Sequence, residues 1–170
     1  VGLSVKDLLE KTSPPERVKK ICLNGNLRSE RDALRDELDE ITGQSTGKMS
    51  DPRAAELAER ITAIEAQMAE EAVAFRFRGV SRWRLKEIQQ KFPTEEKYAE
   101  WDVEAGATTL ISECLVEPKL TPDELQSIFD RGNSRLPDEL FSVAWLVCNQ
   151  ENDLPKSARA SAQMRGTGSN

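Results

Sequence analysis

The sequence contains no histidine, and that absence removes His-based triads, imidazole acid–base pairs and His-containing zinc sites. Cysteine is scarce: Cys22, Cys114 and Cys148 stand far apart and form no C-x-x-C pair, so neither a zinc site nor a dithiol redox motif is encoded. They read as buried free thiols of a reducing compartment. No apolar run is long enough for a signal peptide or a membrane span, and the first ten residues carry charges within an amphipathic pattern. The expectation is a soluble, cytosolic protein without membrane association. Aromatic residues make up only 5% of the chain and hydrophobic ones 38%, against 32% charged, which leaves a modest core. Basic residues are in deficit too, with a formal net charge of -6, the reverse of the surplus a general nucleic-acid binder needs.

What charge there is lies unevenly. Arg76 to Lys91 holds six bases against one acid, Glu87, whereas Trp101 to Leu154 holds eleven acids against three bases.

The apolar spacing changes along the chain. Ser4 followed by Asp7, with Val5, Leu8 and Leu9 on one side, reads as a short capped helix ended before Pro14-Pro15, a segment suited to docking. Val18 to Leu23, stopped by Asn24-Gly25, reads as a strand. Leu27, Leu34, Leu38 and Ile41 then keep to one helical stripe, and Leu57, Ile61, Ile64 and Met68 repeat it after a polar connector, Gly43 to Met49, and a Ser50-Asp51-Pro52 start. Two matching helices on a short loop fold back on each other as an antiparallel pair. Glu71 to Arg78 alternates strictly, with Val73, Phe75 and Phe77 on one face, and predicts a half-buried strand pairing with the first.

The second half predicts helices. One is capped by Ser81; another is capped by Asp102 and runs through Cys114 and Leu115 to Pro118. A third opens on the Thr121-Pro122-Asp123-Glu124 capping box, and the last starts near Pro137 and buries Leu140, Phe141, Ala144, Trp145 and Cys148. The Pro-Asp-Glu-Leu blocks at 122–125 and 137–140 read as two uses of one helix-start chemistry. The expected architecture is mainly α with a small two-stranded antiparallel β element. A strand, helical hairpin, strand unit covers residues 1–80, a C-terminal helical bundle 81–150, and a flexible, weakly basic tail 151–170.

Candidate chemistry is thin. A calcium loop aligned on Asp130 would place Phe141 where the closing glutamate belongs. Glu95-Glu96, Asp123-Glu124 and Asp138-Glu139 are expected at helix N-termini, where backbone donors favour negative charge without any acid–base role. Gly43 to Met49 lacks the phosphate-loop spacing. No catalytic residue, cofactor or metal is expected. The run Arg76-Phe77-Arg78-Gly79-Val80-Ser81-Arg82-Trp83-Arg84 has the composition of a single-strand nucleic-acid platform. Strand alternation accounts for it more simply, and an acidic protein surface is a better partner than RNA.

The order of segments carries a resemblance. Val18-Lys-Lys-Ile-Cys-Leu-Asn-Gly-Asn-Leu27, a charged hairpin, and Phe75-Arg-Phe-Arg-Gly-Val80 resemble the first half of the tail assembly chaperones of siphophages and prophages of actinobacteria. Thr109-Leu-Ile-Ser-Glu-Cys-Leu-Val-Glu-Pro-Lys-Leu-Thr-Pro-Asp-Glu-Leu125 and Leu136-Pro-Asp-Glu-Leu-Phe-Ser-Val-Ala-Trp-Leu-Val-Cys-Asn149 are similar to their second half. The similarity runs from Lys6 to Ala162.

The resemblance implies a protein of the bacterial host cytoplasm, absent from the finished virion, that coats the tape measure protein and recruits tail tube subunits. It also implies a longer frameshifted form, this chain matching the shorter one. The expected client surface is the C-terminal helical region with Trp83, Phe129, Phe141 and Trp145, and the expected basic contacts are Arg76, Arg78, Arg82 and Arg84. The rival reading is a generic cytoplasmic adaptor or regulator that binds RNA through the Arg76 to Arg84 stretch.

Overall fold

The computed structural model describes residues 2–44 and 52–150. Among them lie seven helices and three strands: α1 (Val5–Lys11), β1 (Glu16–Ile21), α2 (Gly25–Gln44), α3 (Pro52–Glu70), β2 (Val73–Arg78), α4 (Arg82–Lys91), α5 (Val103–Cys114), β3 (Leu115–Glu117), α6 (Pro122–Phe129) and α7 (Leu136–Cys148). The Ser50-Asp51 start, most of the Gly43 to Met49 connector and the 151–170 tail fall outside the described residues.

Helix starts follow the side chains that can accept a free backbone N–H. Ser4 and Asp7 form a reciprocal capping box, as do Thr121 and Glu124, while Ser81 accepts from Arg84 N and Asp102 from Ala105 N. The start of α7 differs from that of α6 despite the shared Pro-Asp-Glu-Leu. Its cap position, Arg135, has no capping side chain, and Asn133 Oδ1 instead accepts from Arg135 N at 3.2 Å and Leu136 N at 3.0 Å. Asp123-Glu124 and Asp138-Glu139 do lie in the first turns of α6 and α7, but Glu95-Glu96 is not at a helix N-terminus. It lies in the non-helical connection before Asp102, because Pro93 follows the C-cap Phe92 and the chain is held open by Asp102 N donating to Phe92 O at 2.8 Å.

The sheet runs β1-β2-β3. β1 and β2 are antiparallel, with Glu16 opposite Arg78 through to Ile21 opposite Val73; the pairing is the expected one, but β1 runs Glu16–Ile21 rather than Val18 to Leu23. The third strand corrects the expectation of a two-stranded element. The three residues before Pro118, 115–117, leave the helix and pair with β2, Glu117 opposite Arg76 and Leu115 opposite Phe77, with a bulge between Arg76 and Phe77. Pro118 disfavours helical backbone at Glu117, and the open side of β2 supplies the hydrogen-bond partners a helix would have given. Lys119 closes the end of α5, its Nζ donating to Ser112 O at 3.0 Å and Leu115 O at 3.2 Å.

Two hydrophobic clusters result, and they part at the base of the hairpin rather than near residue 80. One lies between α2 and α3, built from Leu27, Leu34, Leu57, Ile61 and Ile64 with Leu38 and Met68 at its edge. Asn24 Nδ2 donating to Glu71 at 2.9 Å closes the antiparallel pair at its base. The other joins the sheet to the C-terminal helices through Phe75, Phe77, Ile88, Leu110, Ile111 and Leu140. Phe77 is 0% exposed. The inward face of β2 needs a cover that a hairpin folded on itself does not supply, and α7 supplies it by lying against β1 and β2. The fit at the end of β2 is close: a Cβ on Gly79 would collide with Val147 O.

Candidate functional site

The C-terminal helices carry a stack of three rings at the edge of the core, with Trp101 buried and Phe141 and Trp145 half-buried. Trp101, just before α5, sits 6.3 Å from Phe141 and 6.5 Å from Trp145, and those two are 6.1 Å apart on successive turns of α7. Trp145 is near parallel to both neighbours, at 20° and 21°, an offset-stacked arrangement that adds to area burial. Gly106 makes this possible. A Cβ there would lie on the Trp101 ring and 2.8 Å from Phe92 Cδ2, so only a bare backbone lets the indole rest on the first turn of α5. The placement is that of a hydrophobic staple, the residue before the cap folding onto the fourth helical position.

Two adjoining cavities open beside these rings. The larger, about 600 Å³, lies between α5, α6 and α7, with Val103, Ala107, Phe129, Pro137 and Phe141 among its walls. The smaller, about 280 Å³, is walled by Ala99, Trp101, Val103, Phe141 and Trp145. Val103 and Phe141 belong to both, so the two form one groove. Its charged rim is acidic throughout: Glu104 and Asp138 line the first cavity and Glu100 the second, with no lysine or arginine lining either.

The eight residues singled out from the sequence therefore separate into three places. Phe129, Phe141 and Trp145 share the groove. Trp83 is 77% exposed on α4, with Lys86 Nζ 5.8 Å above its ring, and lines neither cavity. The arginines do not form one surface. Arg76 and Arg78 lie on the outer face of the sheet, where Glu16 bonds Arg78 at 2.6 Å and lies 3.8 Å from Arg76, and Glu117 meets Arg76 at 3.3 Å. Arg84 holds Glu113 on α5 through two contacts of 3.2 and 2.5 Å and Glu87 at 2.8 Å. These hydrogen bonds raise the Arg84 pKa still further and lower that of Glu113. Arg82 is exposed at the start of α4. Three of the four arginines thus already face carboxylates of their own chain, which removes much of the charge an RNA backbone would need.

Trp101 and Val103 belong to the groove although sequence reasoning did not select them. A tryptophan directly before a capping aspartate, with glycine at the fourth helical position, is the signal that could have found them.

Among the described residues, no helix is long and apolar enough to cross a membrane, and no cluster of three or more His, Cys, Asp or Glu side chains could hold a metal ion. No protein-family model, curated protein or solved structure matches the chain.

Proposed function

We propose that the chain is a tail assembly chaperone of a long-tailed phage or prophage. On this reading it holds the tape measure protein in the host cytoplasm, helps bring tail tube subunits to it, and does not remain in the virion; a longer frameshifted form would share its function. The observation that carries the proposal is the groove walled by Val103 and the half-buried Phe129, Phe141 and Trp145 and backed by the buried Trp101. A concave apolar strip between helices suits the apolar stripe of another helix, and a tape measure protein is a long, largely helical client. An open groove gives individually weak contacts, so many copies along one client supply avidity while each remains displaceable by tube subunits. The resemblance of the segment order supports the same role.

Co-expression with the tape measure protein encoded beside it tests the reading. The expected result is a soluble client co-purifying with this chain, reduced when Val103→Glu alters the groove and retained at high salt, as apolar contacts predict. A client that precipitates equally with and without this chain ends the proposal.

A further inference from the structure

α1 is a second unpartnered apolar surface. Every residue of it is exposed, with Val5 at 73%, Leu8 at 51% and Leu9 at 69%, and Leu3 just before it at 61%. Seven residues are too few to hold a helix in water by themselves; here only the Ser4–Asp7 capping box secures the start. Solvent-facing leucines on a short helix mark a contact surface. At about 100° per residue, Val5, Leu8 and Leu9 fall on one side, Lys6 and Lys11 flank that side left and right, and Asp7 and Glu10 take the back. The helix is an apolar ridge between two lysines.

The groove of α5, α6 and α7 has the opposite character, an apolar trough whose charged rim is Glu100, Glu104 and Asp138. Ridge and trough match in polarity along their centres and in charge along their edges. We propose that α1 of one copy docks in this groove of a second copy. The contact is heterologous, pairing two different surfaces, so each association leaves one α1 and one groove unused and copies add head to tail into an open row or a closed ring. This rests on the groove accepting a helix, which the proposed function shares, but not on the identity of the client. A client helix would compete for the same trough and release copies from one another.

Sedimentation velocity of the full chain tests it with two variants placed at exposed positions. Leu8→Glu/Leu9→Glu removes the ridge and keeps the groove. Val103→Glu alters the groove, keeps the ridge, and puts an acid in the first turn of α5, where it is tolerated. Wild type is expected to form species larger than a dimer as concentration rises, and each variant to sediment as a monomer with wild-type circular dichroism. An equimolar mixture of the two variants should give a dimer and nothing larger, because only one intact ridge and one intact groove can meet. Three results overturn the proposal: a wild type that stays monomeric throughout, a ridge variant that assembles like wild type, or folded variants whose mixture forms no dimer. The ridge variant also separates the two ideas, since its groove is intact. It should still keep a tape measure client soluble, and a wild-type chain that self-associates as expected but leaves the client insoluble would count against the chaperone reading alone.

Discussion

The sulfurs of Cys114 and Cys148 lie 3.4 Å apart, joining the C-terminal ends of α5 and α7 across 34 residues of sequence. Cys114 is fully buried and Cys148 only half so. The hydrogen bond between them pushes the Cys114 thiol up, with burial adding to the effect, and stabilises the Cys148 thiolate, bringing its pKa down to about 7. The more accessible sulfur is thus also the more nucleophilic one near neutrality.

Alkylation of the folded protein should therefore modify Cys148 first, at a rate that climbs as pH rises through about 7. In Cys114→Ala the same profile should move back toward the ordinary thiol range, because the S–H donor is gone. Peptide mass mapping over a pH series reads both outcomes. Earlier labelling of Cys114 or Cys22 would show that the pair is not arranged this way.

The Arg84–Glu113 pair predicts a stability difference with a definite sign. Hydrogen bonding to Arg84 holds the folded Glu113 carboxyl below its usual range. Its contribution is therefore fully present above the unfolded carboxylate pKa, about 4.3, and disappears as pH falls through the depressed folded value. Glu113→Gln should melt below wild type at pH 7, and the gap should close in acid. A gap that is unchanged down to the acid limit would mean that the pair contributes nothing through charge.

Phe77→Ala removes a fully buried ring from the cluster that joins sheet and helices, a change that costs about 3–5 kcal/mol. The loss should appear in the tryptophan fluorescence transition, since Trp101 belongs to that same cluster. Ile61→Ala acts in the hairpin cluster and should speed amide exchange along α2 and α3 while leaving α5 and α7 protected. Equal exchange in all four helices would show that the two clusters unfold as one.

Gly106→Ala should displace the Trp101 indole, since a Cβ has no room beneath it. The expected readout is a change in tryptophan emission and near-ultraviolet dichroism with helical content preserved. Unaltered spectra would mean that the ring does not rest on α5.

The elements with local signatures could be read from the sequence. Caps at Ser4, Ser81, Asp102 and Thr121, the matching stripes of α2 and α3, and the alternation of β2 all act within a few residues. What escaped depends on distant partners. Leu115 and Glu117 continue a helical pattern until Pro118 and the free side of β2 make pairing better. Cys114 and Cys148 are unrelated in sequence until α5 and α7 come together. In the groove, Phe129, Phe141 and Trp145 stood out as aromatic residues of the C-terminal region, but Trp101 needed its support on Gly106 to be visible. The arginine stretch shows the opposite failure: neighbours in sequence, its members are divided by the turn at Gly79 between a sheet face and a helix.

β1 forms one rim of the sheet, and among the described residues no strand lies beside its outward backbone donors and acceptors. Such a rim invites zipping between molecules wherever many copies crowd together. Arg17, Lys19 and Lys20 put three positive charges along its six residues, so two such rims brought edge to edge repel. Crowded molecules are thereby steered away from fibre-like strand stacking and left to associate through their helices.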